Sequence, residues 1–470
     1  MNTIALAIRN LWRNRRRSLA TLLGIGFGSI AILLFGGYKA NIKQTMQTDF
    51  VRRGGHLQIQ HKDFFLYGSG NPTAYGLSNY DQIISAIKDD PHLRKSILVV
   101  TPTLQFGGIA GNYEAAVSRT VIGNGVVAAE QAAMRDWDPY DIHLNWLPYL
   151  LKDSPPTAAV IGLGVARVLQ LCEVLGVEGC VRPDKPTNIA GASLPNDIAE
   201  LTVLEKGGTK GQTKPLASGP SGRKIELLAS NPRGTPNVAA LEVIRAESQG
   251  FKEWDEVYVV MHLAQAQRLV FGAAKPKVTA IHVQLRDTRQ LQDAQEYIAA
   301  NLPSWASGQR LVVRDVGELN PFYVQSIRMF DTIFGFMFVL IGTIVMFTVS
   351  NTMNTAVIER TVEIGTLRAI GLRRSGIRQL FVTEGVILGI VGAALGVIAA
   401  LAIAAVINRL GLQWLPPGSA GLLPLAVSLW GELGLIIGTS LALVAVATLS
   451  AWWPAYRAAQ LNVVDALRHA

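Results

Sequence analysis

The side chains best able to bind a metal or act as nucleophiles are seven histidines and two cysteines, and their spacing favours neither role. His56 and His61 are five residues apart in a stretch that reads as a strand, so they point to opposite faces. They read as exposed or hydrogen-bonded histidines rather than as a shared metal site. Cys172 and Cys180 flank a glycine-containing loop. A local disulfide across it would contribute about 2–3 kcal/mol, and two buried, unpaired thiols are the alternative. Two thiolates do not complete a tetrahedral zinc shell, so no metal is expected. The run Gly207-Gly208-Thr209-Lys210-Gly211 lacks the Lys-Ser/Thr pair of a phosphate-binding loop. No HExxH, GxSxG or CxxC pattern occurs, and no catalysis or cofactor is expected in this chain.

One stretch has charge and apolar residues in a pattern suited to contact with another protein. It runs Glu359-Arg360-Thr361-Val362-Glu363-Ile364-Gly365-Thr366-Leu367-Arg368-Ala369-Ile370-Gly371, followed by Leu372-Arg373-Arg374, Ile377 and Glu384. The charges alternate in sign, and Val362, Leu367 and Ile370 are available to pack on a membrane or a partner. A solvated turn would carry the same composition. A second patterned stretch opens the chain: Ile4, Ile8, Leu11 and Trp12 share one helical face, while Arg9, Arg13 and Arg16 share another. That arrangement suits an amphipathic helix lying in a membrane interface.

The elements around these stretches are read from composition. Of 470 residues, 49% are hydrophobic and only 16% charged, against roughly 25% in ordinary soluble domains. The formal charge is +9 and the mean hydropathy +0.28. Disorder needs the opposite balance. Four segments are apolar over the roughly 20 residues that cross a bilayer: 18–38, 333–353, 385–407 and 433–454. The first exceeds a signal-peptide core and precedes no small-residue cleavage site, so it reads as an uncleaved anchor. Residues 1–17 carry +5, the 354–384 connection +2 and the 455–470 tail +1. The 39–332 segment carries only about +1, and the 408–432 loop is neutral. The positive-inside rule then puts both termini and 354–384 in the cytoplasm, with 39–332 and 408–432 outside. The net charge records topology, and a nucleic-acid partner is not expected.

The outer segment reads as mixed α/β, with strands at 56–61, 257–260, 278–283 and 311–313 and helices at 80–88 and 288–302. Residues 206–223 hold seven glycines or prolines and read as a long loop. A subdomain inserted at about 138–250 is expected.

The chain resembles the FtsX-like or MacB-like ABC transporter permeases of the type VII, mechanotransmission class. The resemblance rests on Leu6-Ala7-Ile8-Arg9-Asn10-Leu11-Trp12-Arg13-Asn14, on Glu359-Arg360 with Glu363-Ile364-Gly365 and Leu367-Arg368-Ala369-Ile370-Gly371, and on Glu384. The ending Pro454-Ala455-Tyr456-Arg457-Ala458-Ala459 with Asp465-Ala466-Leu467-Arg468 is also similar. The resemblance implies one-plus-three spans with a porter-like outer domain carrying an insertion. It implies a permease pairing with a second copy or a paralogue and binding two copies of a separate cytoplasmic ATPase, which would hold ATP and Mg. Residues 359–371 would be the coupling helix, with Glu359, Arg360, Glu363, Ile364, Gly365, Leu367, Arg368, Ala369 and Gly371 as its contact residues. Residues 39–50 and 319–331 would be helical stalks. The layout resembles the lipoprotein-releasing permeases LolC and LolE of a bacterial inner membrane. The substrate implied is a lipoprotein or lipid-like amphiphile, with membrane lipid and a periplasmic carrier or adaptor as partners. Export of drugs, peptides or siderophore-like molecules is one alternative; regulation of a periplasmic enzyme is another.

Overall fold

A computed structural model describes residues 3–142, 149–177, 222–231, 234–414 and 423–461. In chain order its main elements are α1 (Thr3–Arg13), α2 (Arg15–Gly54), β1 (Leu57–His61), α3 (Tyr80–Asp89), β2 (Ile97–Asn112), β3 (Val117–Val126) and α4 (Ala128–Arg135). Next come β4 (Ala158–Gly162), α5 (Leu163–Val168), β5 (Lys224–Ser230), β6 (Pro236–Glu247), β7 (Tyr258–His262), α6 (Leu263–Phe271), β8 (Ala280–Leu285), α7 (Leu291–Trp305) and β9 (Leu311–Asp315). The last are α8 (Pro321–Glu359), α9 (Thr361–Ala369), α10 (Arg374–Leu410) and α11 (Leu433–Gln460). They fall into two compact units. One comprises Met1–Asp49, Asn320–Trp414 and Leu422–Ala470, and the other is built on Phe50–Leu319.

In the first unit α2, α8, α10 and α11 are each long and apolar enough to cross a membrane. Small residues let three of them approach closely, as lipid-embedded helices require. Gly385 and Gly389 face Ala451, Ala447 and Val444 of α11; further along α10, Gly392 and Gly396 face Ile25 and Ser29 of α2. A Cβ at Gly396 would strike that of Ser29, so no larger residue fits without moving a helix. Lys39 on α2 pairs with Asp331 on α8 at 2.6 Å, and Phe35 stacks on Phe334. Threonines inside α8 return their hydroxyls to the preceding turn, as Thr348 does to the carbonyl of Ile344 at 2.9 Å. A hydroxyl bonded in this way leaves no unsatisfied donor facing an apolar surround.

The second unit is mixed α/β. Its nine-stranded sheet has the order β3-β7-β4-β6-β5-β2-β8-β1-β9, and β2 pairs with β3 as well. That extra pairing closes β2, β3, β7, β4, β6 and β5 into a ring. β2 is long enough to serve both parts: 97–103 pairs with β8, and 103–112 pairs with β3. Closure removes two sheet edges that would otherwise be open to aggregation. Phe106 lies directly opposite Gly123, where any Cβ would strike its ring. The ring and the helices α3, α5, α6 and α7 share one apolar core that includes Leu104, Phe106, Ile161, Leu227 and Met261.

The described part of 138–250 supplies β4, β5 and β6 to this sheet and forms no sheet of its own. Sequence boundaries at 138 and 250 are therefore not boundaries in the hydrogen-bonded core. Most of the loop read at 206–223, the run Gly207–Gly211 and Cys180 lie outside the described residues. Cys172 opens the single-turn helix Cys172–Leu175.

His56 and His61 both lie at β1 and serve different structural ends. His56 is buried, and its Nδ1 accepts from the Leu285 N–H at 3.0 Å. Because a backbone N–H only donates, the ring proton sits on Nε2 and points to the Thr288 hydroxyl at 3.1 Å. Burial pushes its pKa down to about 4. His282 on β8 is likewise buried and held near 4 by the same cause. His61 accepts from the Asp63 N–H at 3.3 Å. Among the described residues no cluster of three or more His, Cys, Asp or Glu is placed to hold a metal.

Candidate functional site

The patterned stretch at 359–371 forms the end of α8, a one-residue break at Arg360 and the short helix α9. Its stop is encoded locally. Gly371 has φ +104°, a conformation other residues adopt at a cost. The Gly371 N–H reaches the Arg368 carbonyl and the Leu372 N–H that of Leu367, each at 3.0 Å. Two carbonyls at the helix end are thus satisfied, and Leu367 and Leu372 both pack on the core below.

Three ion pairs fasten this corner to the opening segment and to α10. Arg360 Nη1 pairs with Glu384 Oε1 at 2.9 Å, with side chains only 8% and 2% exposed. Asn10 Nδ2 donates to the same Glu384 oxygen at 2.9 Å, and Arg360 Nη2 donates to the Asn10 carbonyl at 3.2 Å. With its amide turned so that oxygen faces the guanidinium, Asn14 accepts from Arg360 Nη2 at 2.6 Å. Arg17 pairs with Glu359 and Arg13 with Glu363 at the rim. The network therefore holds three guanidiniums and three carboxylates, and its charges cancel locally. A buried pair persists only when its remaining polar atoms are bonded, and the two asparagines do this for Arg360 and Glu384.

The sequence-predicted contact residues divide between two faces. Arg360, Ile364 and Gly365 are buried and face inward, the first as the centre of the network. Leu367 and Arg368 are half-buried, and Arg368 Nη1 donates to the Leu461 carbonyl at 2.5 Å. Glu359, Glu363, Ala369 and Gly371 are exposed. Between them run Ile358, Val362 and Ile370, all exposed, the last 80% so. An apolar stripe flanked by carboxylates thus stands on a helix whose other face is pinned. Of the apolar trio read from sequence, Val362 and Ile370 lie on this outer stripe, whereas Leu367 packs inward.

Sequence reasoning missed the partners Asn10, Asn14 and Arg17. The signal was present as spacing. Asn10 and Asn14, like Arg13 and Arg17, are four apart on one helical path interrupted only at Asn14. On α1 the stripe Ile4, Ile8 and Trp12 is exposed, while Leu11 packs on the core.

Residues 333–463, which hold this corner with the second, third and fourth long helices, match the model of the FtsX-like permease C-terminal domain. This part of the chain is thus similar to an FtsX-like permease domain. An uncharacterised ABC transporter permease of Methanocaldococcus jannaschii is 33% identical over 26% of the chain and 28% of its own length. The lipoprotein-releasing system transmembrane protein LolC of Haemophilus influenzae is 30% identical over 31% of the chain and 36% of its own length. The macrolide export ATP-binding/permease protein MacB of Chromobacterium violaceum is 27% identical over 39% of the chain and 27% of its own length. The match to each of these relatives thus spans well under half of that relative.

Proposed function

We propose that the permease is the non-catalytic transmembrane subunit of an ABC transporter, and that α9 is where a separate cytoplasmic ATPase docks. The observation that carries this reading is the two-faced construction of α9. Its inner face is fixed by Arg360, Ile364 and Gly365, so its outer stripe of Val362 and Ile370 is presented by a rigid mount. A mount of that kind transmits displacement instead of absorbing it. α9 joins α8 directly to α10, so a push on it acts on two long helices at once. In this reading ATP and Mg belong to the ATPase, two copies of which serve a pair of permease chains. The pair is two copies of this chain or the chain and a paralogue.

The work done is the movement of a lipoprotein or lipid-like amphiphile out of a bacterial inner membrane, with the α/β unit in the periplasm and both termini in the cytoplasm. Similarity to a lipoprotein-releasing protein and four apolar helices support that cargo class. Similarity to a macrolide exporter supports a second reading, export of small molecules with an adaptor and an outer-membrane channel. Affinity purification of the full chain from native membranes tests the proposal. Capture of an ATPase together with a lipoprotein carrier supports the first reading, and an ATPase with an adaptor supports the second. ATP hydrolysis by the chain alone, or capture of no ATPase, contradicts both.

A further inference from the structure

Two contrasting settings for arginine occur in the first unit. Arg13, Arg17 and Arg360 are each matched by a carboxylate. Arg378 and Arg457 are not: among the described residues no carboxylate lies within ion-pair distance of either, and both instead lie over indole rings. The Arg378 guanidinium carbon is 5.4 Å from the Trp452 ring centre, joining α10 to α11. That of Arg457 is 5.5 Å from the ring centre of Trp453, one turn back on α11. Trp452 and Trp453 are themselves 51% and 61% exposed, and Tyr456 beside them is exposed too.

The depth of this cluster is set by helix geometry. From Leu433 to Trp453 an α-helix rises about 30 Å, the thickness of a bilayer's hydrocarbon core. The consecutive indoles therefore stand where hydrocarbon meets headgroups, the layer in which tryptophan rings are favoured. Stacking on a ring satisfies the face of a guanidinium and leaves its N–H edge, the donor fork that matches two phosphate oxygens, without a carboxylate acceptor. Two such cations with exposed aromatic surface at headgroup depth suit a ligand that is anionic at one end and apolar at the other. An acidic protein surface would match the charge but not the uncovered indoles.

We infer that Arg378, Trp452, Trp453 and Arg457 form a binding site for the phosphate headgroup of an anionic phospholipid. The inference rests on the membrane-spanning reading of α10 and α11. The site holds the end of α11 against the start of α10.

The test uses the full chain in micelles holding equimolar phosphatidylglycerol and phosphatidylcholine, with bound lipid counted by native mass spectrometry. The wild type is expected to retain phosphatidylglycerol preferentially. Each arginine removed should weaken that preference about fivefold, as expected for one surface cation against an anionic headgroup. The variants are the double Arg378→Gln, Arg457→Gln and the single Arg457→Gln, whose exposed side chain can be changed without disturbing the core. An unchanged preference in both overturns the inference. So does abolition of the wild type's lipid preference by added inorganic phosphate alone, which would make this a free-anion site. Loss of ATPase capture with lipid preference intact would assign the cluster to a protein partner and overturn it likewise. Flotation of the chain with vesicles of either lipid separates two failures. A chain that floats without preference refutes only this site, and a chain that floats with neither refutes the membrane reading beneath it.

Discussion

The side-chain amide of Asn10 donates to the carboxylate of Glu384 at 2.9 Å, across 374 residues of sequence. The same carboxylate oxygen takes Arg360 Nη1. One buried acid on α10 therefore fixes both the opening helix and the residue from which α9 starts. The amphipathic opening segment is consequently part of the machinery that mounts α9, besides any role in setting topology.

Removing one member of the Arg360–Glu384 pair leaves the other as an uncompensated buried charge. Glu384→Leu or Arg360→Met alone should each destabilise the first unit by about 3–5 kcal/mol. The double replacement should recover most of that loss, because two apolar groups need no partner. Thermal unfolding in detergent measures all three. A double variant as unstable as the singles would mean that the pair does more than neutralise itself.

The rim pair Arg13–Glu363 is about half exposed on both sides. Breaking it should cost no more than about 1 kcal/mol of stability. Arg13→Glu should nonetheless lower the ATPase activity of the assembled complex, and adding Glu363→Arg should restore it. An unrestored double variant would argue that Glu363 meets the ATPase directly.

Gly371 ends α9 at a positive φ. Gly371→Val should cost about 1–3 kcal/mol locally. Hydrogen exchange should rise at the end of α9 while the amides of α10 and α11 stay protected. Unchanged exchange at α9 would show that the turn tolerates a side chain.

His56 and His282 are each held near pKa 4 by burial, below the ordinary 6.5. The unfolded chain takes up these protons more readily. Their contribution to stability is therefore complete above pH 6.5 and lost as pH falls from 6.5 through 4. Hydrogen exchange of β1 and β8, corrected for its intrinsic pH dependence, should show protection falling across that window. A flat profile would contradict the buried, neutral assignment.

The four long helices were legible because a charge-free run of about 20 residues matches the thickness of a bilayer and exceeds what a soluble core usually buries in one piece. The strands β1, β7, β8 and β9 were legible from short apolar or alternating runs. β2 and β3 were not, because Gly107, Gly108, Gly111, Gly123 and Gly125 break the alternation by which a strand is read. Those glycines follow from packing: Gly123 makes room for Phe106, and Gly125 for Ala266. At 359–371 the sequence marked a stretch that folds as a short helix, but charge alone does not say which way a side chain points. Arg360 looked like a contact residue and is the buried anchor, since its partners Asn10 and Glu384 are distant in sequence.

The most direct test of docking at α9 replaces its outer stripe and leaves its mount intact. Val362→Glu with Ile370→Glu in the full chain touches neither Arg360 nor Glu384, so the fold should survive, as judged by an unchanged unfolding midpoint. ATPase capture from native membranes should then fall about thirtyfold or more, the scale of losing a docking hot spot of at least 2 kcal/mol. Undiminished capture by this variant would contradict the assignment of α9 as the docking helix.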